Sequence, residues 1–282
     1  MKREHFWAFA LMLVTILWGW SFVAIHLALS TISASAFNAC RFLMGALVLL
    51  IMLALRNKLH IKLDTLRDGI IAGLALFLAF SFQTVGIAYT TASNSSFITG
   101  LAVVFTPFLA WILLKLKPSW QQILSSFIAA IGLGFLTIND LSLHRGDLLV
   151  LCCALFMALH IIILSKVSKH HDAEVLTFIQ VTVVAILSLI WTSCMGQKSL
   201  PNSHQAISTL LILGIAGTAV AYYVQTKAQI ASKPSTIALI LVLEPLFGGL
   251  FGYLLGGDRL TMTNMFGAGL IIIAMLIAEI KT

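Results

Sequence analysis

Runs free of Asp, Glu, Lys and Arg divide the chain into apolar stretches separated by short polar breaks. His5–Cys40 and Phe42–Leu55 come first, parted only by Arg41. Gly69–Leu114 is uninterrupted; as one helix at 1.5 Å per residue it would extend roughly 70 Å, more than twice a bilayer's hydrocarbon core of about 30 Å. It must fold back, and Tyr89-Thr90-Thr91-Ala92-Ser93-Asn94 is the polar break where it can. The pattern predicts ten helices, at about 6–28, 35–55, 68–88, 92–114, 119–138, 147–165, 175–195, 207–227, 234–256 and 260–279. The fold class expected is therefore all-α integral membrane.

Composition sharpens this. Of 282 residues, 60% are hydrophobic and 10% charged, against about 45–50% and about 25% in soluble domains. Too few charges exist to coat a water-exposed surface, and ten spans leave no room for a separate soluble domain. Thirteen of the 17 Lys and Arg residues fall in one alternating set of loops and termini. Only Arg145, Lys198 and Arg259 fall in the other set, and Arg41 lies inside a span. This asymmetry predicts an inner (plasma) membrane protein with both termini cytoplasmic. The net charge of +7 is scattered through loops, which argues against nucleic-acid binding. Met1-Lys2-Arg3, an apolar run and Ser33-Ala34-Ser35-Ala36 imitate a signal peptide, but the run exceeds the 7–15 residues of a typical h-region, so an uncleaved first span is expected. Cys40, Cys152, Cys153 and Cys194 all lie in apolar segments, as packing residues rather than a disulfide framework or a metal site. No cofactor is implied.

The halves echo each other. Phe105-Thr106-Pro107-Phe108 and Leu243-Glu244-Pro245-Leu246-Phe247 each follow an Ala-Ser turn, Ala92-Ser93 and Ala231-Ser232. Each precedes a helix with Gly-x-Gly, at Gly132/Gly134 and Gly267/Gly269. Five helices per half is an odd number, so the second half must enter the membrane inverted: residues 1–142 form one five-helix repeat and 143–282 the other. Inverted repeats belong with secondary transport, because two equivalent bundles around a midplane site can exchange inward- and outward-open roles.

Gln83-Thr84-Val85-Gly86, Tyr89–Asn94, Phe97-Ile98-Thr99-Gly100-Leu101 and Pro107 resemble the EamA-type members of the drug/metabolite transporter superfamily. So do Trp18-Gly19, Arg41-Phe42 and Glu244-Pro245. The resemblance implies ten helices in a five-plus-five inverted repeat. It also implies a central cavity, lined mainly by helices 1, 3, 4, 6, 8 and 9, for small metabolites such as amino acids. Many relatives carry an acidic residue after the proline helix in both halves. Here Gly257-Asp258 follows the second, whereas Lys115-Leu116-Lys117-Pro118 follows the first.

Glu244 is the sharpest single feature. An acidic residue near the midplane costs about 2.5–3.5 kcal/mol on insertion scales, and such residues usually face a cavity. It is either a binding carboxylate for an amine, a proton site, or a structural tie between helices. Pro107 and Pro245 free the carbonyls of Val103 and Leu241 and are candidate hinges. The remaining cavity candidates are Trp18, Ser21, Gln83, Asn94, Ser96 and Thr99 in the first half, with His160, Tyr222 and Gln225 in the second. His160 is either a proton partner for Glu244 or a neutral ring bonded to a neighbour. Trp18 and Trp20, two apart, cannot share a face, so one is expected in the cavity and the other at lipid. Arg41 reads as a snorkelling or structurally paired residue, with substrate binding the alternative, and His170-His171 as part of a solvated loop. Gly248, Gly252 and Gly256 line one face of helix 9, suited to close helix approach or a dimer seam; the oligomeric state is undefined.

These features describe a secondary transporter, exporter or exchanger, of small metabolites such as amino acids or amines, not an enzyme. Nothing resembles a phosphate-binding loop, so coupling is to protons or to nothing. The competing reading is an intramembrane enzyme acting on a lipid-linked substrate, which would need a converging acid–base or metal set.

Overall fold

A computed structural model describes residues 3–137, 144–196, 201–231 and 240–279. All its regular elements among these residues are helices. In chain order the helices are α1 (Arg3–Ala28), α2 (Ala34–Leu55), α3 (Leu63–Ile87), α4 (Ala92–Gly100), α5 (Ala102–Leu114), α6 (Trp120–Thr137) and α7 (Arg145–Val167). Then follow α8 (Ala173–Cys194), α9 (His204–Gly214), α10 (Ala221–Ala231), α11 (Leu243–Leu255) and α12 (Met262–Glu279). Seven described segments are long and apolar enough to cross a membrane, among them Ala92–Leu114, which joins α4 to α5, and His204–Ala231, which joins α9 to α10. Trp120–Phe135, Leu243–Leu255 and Met262–Ile277 are shorter apolar helices. Ser232, residues 234–239 of the ninth expected span and the boundary at 142/143 lie outside the described residues.

Local chemistry explains the breaks. The polar stretch Tyr89–Asn94 is the turn between α3 and α4, where the Thr91 hydroxyl accepts from the Asn94 N–H at 3.1 Å. Ser33, Ser203 and Asp172 cap α2, α9 and α8 in the same way, each satisfying an amide that the helix start leaves orphaned. The ninth-helix proline, Pro245, lies in the first turn of α11, where its missing N–H costs no hydrogen bond. Pro107 sits well inside α5, and the regular winding breaks upstream of it at Leu101. One irregularity has no signal in the sequence: Ile215–Val220, between α9 and α10, is wound as a π-helix.

Packing falls into pairs that exchange when one half of the chain is substituted for the other. α6 lies along α12, α2 along α8 and α4 along α11. The contact of α1 with α11 is matched by that of α7 with α4 and α5, and α3 on α7 by α1 on α9 and α10. Polar ties gather at two opposite ends. At one, Thr90 donates to Asp147 at 2.6 Å, the Ser93 N–H donates to Asp258 at 2.8 Å, and Thr31 meets Ser203. At the other, Arg56 and Lys58 pair with Glu174 and Asp172. Burial alone would raise the Asp172 carboxyl, but its bonds from Lys58 and the Glu174 N–H hold it below the usual range. His171 is not free in its loop: it is wedged between Asp68 at 2.8 Å and Thr65 at 3.0 Å.

The glycine face of α11 is internal. A Cβ at Gly248 would collide with Ser96 of α4, and one at Gly252 with Ser93. Across α1, a Cβ at Gly19 would come within 2.5 Å of Phe247 Cβ. Gly256 meets only its own helix. The seam therefore joins α11 to α4 and α1. Gly248→Val should be destabilising by about 1–3 kcal/mol, the usual cost of overpacking, and lower the thermal unfolding midpoint in detergent. Gly269, with open space around its Cβ position, is the control: Gly269→Ala should leave the midpoint unchanged or raise it, since Ala favours helix over Gly by up to about 1 kcal/mol. Equal melting of Gly248→Val and the parent protein would show that the seam is not close-packed.

Candidate functional site

The helices converge on a cavity walled by side chains from both halves of the sequence. Its walls include Trp18, Ser21 and Phe22 of α1, Arg41 of α2, Phe80 and Gln83 of α3, and Thr99 and Gly100 of α4. Val103 comes from α5, Met157 and His160 from α7, Tyr222 and Gln225 from α10, and Leu241 and Glu244 from the ninth expected span. It offers about 70 Å³ to water, room for on the order of five molecules at 10–15 Å³ each. Of the residues picked out from sequence, Trp18, Ser21, Gln83, Thr99, His160, Tyr222, Gln225 and Glu244 line it. Asn94 and Ser96 do not. Asn94 sits at the start of α4, its N–H on the Thr91 cap, and Ser96 donates to the Ser93 carbonyl at 2.8 Å within the seam against α11.

Arg41 is the residue whose placement differs most from the sequence reading. It does not snorkel: its side chain is only 1% exposed and forms part of the cavity wall. Its guanidinium stacks over Phe80, 4.9 Å from the ring centroid, and over Phe42 at 5.5 Å. Nε donates to the Thr218 hydroxyl at 2.9 Å and Nη2 to the Gly217 carbonyl at 3.3 Å. The same carbonyl accepts the Trp18 indole N–H at 2.9 Å. Gly217 and Thr218 belong to the π segment, and this explains why they can serve. There the Ala221 N–H reaches back to Ala216, so it does not claim the Gly217 carbonyl as it would in an α-helix. Nη1 of Arg41, though buried, has no hydrogen-bond partner among the described residues.

Glu244 faces the same cavity from the first turn of α11. That position suits a carboxylate, since the orphan amides at a helix start carry partial positive charge. The side chain keeps partial exposure, and no ion pair within 4 Å joins it to Arg41. His160 pairs with Gln180 Oε1 at 2.7 Å rather than with Glu244 and stands edge-on to Tyr222. Gln83 reaches Thr99 at 3.4 Å. The Gln225 carbonyl oxygen is buried without a partner among the described residues. Trp18 contacts Tyr222 with ring centroids 5.5 Å apart, whereas Trp20 is only partly buried, packed against a separate apolar cluster that includes Phe22 and Phe37. An apolar aromatic enclosure thus carries a guanidinium, a carboxyl group and uncommitted hydrogen-bonding atoms. Among the described residues no group of three or more His, Cys, Asp or Glu could hold a metal ion.

Arg41 carried a signal in the sequence, being an ionisable residue inside an apolar span. Thr218 and the Gly217 carbonyl carried none, since their availability depends on the π winding.

Comparison with known proteins places this architecture. A solved crystal structure, 15% identical, superposes with a TM-score of 0.71 over 96% of each chain and has the same fold. An archaeal protein from Archaeoglobus fulgidus named Uncharacterized transporter is 34% identical over 96% of this chain and 85% of its own length. The Bacillus subtilis protein named Uncharacterized transporter YoaV is 25% identical over 92% of this chain and 91% of its own. The human protein Solute carrier family 35 member G1 is 25% identical over 76% of this chain and 61% of its own. The EamA-like transporter family profile matches twice, over residues 5–138 and again over 144–279. The chain is a multi-pass membrane protein that belongs to the EamA-like transporter family.

Proposed function

We propose that this protein is a secondary transporter of small metabolites, amino acids and amines among them, working by alternating access as an exporter or exchanger in the inner membrane. The single observation that carries this reading is the buried cavity, with polar and charged side chains contributed by helices from both matched halves. Such groups are costly within a bilayer and are retained where a solute passes. The paired packing of the halves supports ten spans in two inverted repeats, residues 1–142 and 143–282, and the Lys and Arg asymmetry of the loops supports both termini being cytoplasmic. In that arrangement the ties at one end (Thr90–Asp147, Ser93–Asp258) close the outer face, and those at the other (Lys58–Asp172, Arg56–Glu174) close the inner face. Opening toward either side requires that one set give way while the other holds. Pro107, inside α5, and Pro245, at the start of α11, are the proposed hinges.

Counterflow in proteoliposomes tests this directly. Vesicles preloaded with unlabelled solute should accumulate the labelled solute transiently and saturably without any imposed gradient. Absence of signal over a broad panel of metabolites, persisting under imposed pH and sodium gradients with folded protein, would count against transport.

Among the described residues Glu244 is the one carboxylate on the cavity wall, and we assign to it any coupling to protons. Glu244→Gln should make accumulation indifferent to an imposed pH gradient, while downhill counterflow persists at weaker apparent affinity. Accumulation that still follows the pH gradient in this variant would remove Glu244 from the coupling path.

A further inference from the structure

The two ends of the bundle are tied by different chemistry. At the end assigned above to the outer face, Asp147 and Asp258 accept from neutral donors, the Thr90 hydroxyl and the Ser93 N–H. At the other end ionic ties cross between the halves. Arg56 pairs with Glu174, Lys58 with Asp172 and Glu174, and Asp68 with His171. Parting the halves at this end breaks all of them. The last tie differs in kind, because one partner changes charge near neutral pH. Arginine stays protonated throughout. Bonding to Asp172 raises the Lys58 ammonium above its usual range, and Lys58 with the Glu174 N–H holds the Asp172 carboxyl below its own against the effect of burial. An imidazole gains or loses its charge between about pH 5 and 8.

The His171 ring is nearly enclosed, with 9% of its side chain exposed. Both nitrogens are engaged: Nε2 with Asp68 Oδ2 at 2.8 Å, Nδ1 with the Thr65 hydroxyl at 3.0 Å. A hydroxyl donates to a bare ring nitrogen and accepts from a protonated one. Either form of the ring therefore fits this geometry, and a second proton turns the Asp68 contact from a hydrogen bond into an ion pair without rearrangement. The other charged or titratable groups on the elements packed here are paired or exposed. Arg56, Lys58, Asp172 and Glu174 are committed to one another, and Lys227 lies over the Tyr223 ring. Lys166, Lys169 and His170, leading into His171, are exposed, as are His60, Lys62, Asp64 and Arg67 around the start of α3.

From this geometry we infer that His171, Asp68 and Thr65 form a pH-sensitive latch on the cytoplasmic end of the protein, tightened when His171 is protonated and loosened when it is neutral. The inference rests on the alternating-access reading, which places this end in the cytoplasm and requires it to open. The sign follows from linkage. The ion pair exists only while the halves are together, so the closed end binds the proton more tightly than the open one. Falling cytoplasmic pH therefore shifts the population toward closure. The latch is separate from Glu244: it sets how readily the cavity opens inward, and it lies at the end of the bundle rather than on the cavity wall.

Spin labels at Leu59→Cys and Lys169→Cys, exposed positions in the first and second halves beside the ties, report the width of this end. The measurement is electron–electron double resonance on the full chain in proteoliposomes, with the four native cysteines replaced by alanine. Two separations are expected, with the closed-to-open ratio rising about 2- to 5-fold from about pH 8 to about pH 5.5, the worth of a partly exposed ion pair. His171→Gln and Asp68→Asn should each flatten this response, and His170→Gln should leave it intact. Melting temperatures report whether each variant is folded, and the two variants break the pair from opposite sides. A ratio indifferent to pH in the parent protein would overturn the latch, as would an undiminished response in His171→Gln. Counterflow of the metabolite panel in the same vesicles separates this inference from the one it rests on. Closure that follows pH without any counterflow removes transport and leaves the latch. Counterflow with an inner end that ignores pH leaves transport and removes the latch.

Discussion

A guanidinium buried among apolar helices has to be held by something, and here it is held by a backbone carbonyl that regular helix geometry would have withdrawn. The Gly217 oxygen accepts from both Arg41 and Trp18, tying α2 and α1 to the π segment in one three-way junction. Thr218 and the rings of Phe80 and Phe42 complete the setting. Each element of that junction also lines the cavity or adjoins a residue that does. The shape of one wall thus depends on six residues of π winding. Restoring regular α geometry there would return the Gly217 carbonyl to the Ala221 N–H and leave both side chains to find other partners.

The second organising constraint is close approach. In a bilayer the lipid tails are as apolar as the helix surfaces, so helices associate by fitting rather than by escaping water. The glycines of α11 let it lie directly on Ser93 and Ser96 of α4 and on α1. In this seam the Ser96 hydroxyl donates to the Ser93 carbonyl of its own helix at 2.8 Å and reaches the Pro245 carbonyl of α11 only at 3.5 Å, so the hydrogen bond that crosses here is a long one. Stronger polar ties lie at the ends of the bundle, where Asp258 takes the Ser93 N–H and Asp147 the Thr90 hydroxyl.

Much of the fold was legible in the sequence because lipid makes polar residues conspicuous. The fold-back in Gly69–Leu114 had one polar stretch available, and Thr91 caps α4 there. The depth of Glu244, Gln83 and His160 could be read for the same reason. Their direction could not. A soluble helix reveals its buried face by its period, but a membrane helix is apolar on all sides, so its pattern carries little phase. Arg41 therefore read as a residue that could reach the interface, and the structure turns it inward. Asn94 and Ser96 were indistinguishable from Thr99 by type, and they were claimed by a helix start and a helix seam. The π winding of Ile215–Val220 was illegible because its residues are ordinary for a helix, and only the packing of Trp18 and Arg41 against it gives the irregularity a purpose.

The two charges of the cavity are anchored differently, and that difference matters for how the wall responds to movement. Arg41 is bound to the π segment through Gly217 and Thr218, so its position follows the junction of α1, α2 and α10. Glu244 stands in the first turn of α11, on the helix whose glycine face rests on α4. A change in how α4 lies on α11 therefore alters the separation of carboxylate from guanidinium, while the guanidinium keeps its own partners. Because no direct ion pair holds the two together, their mutual attraction does not pin the cavity shut.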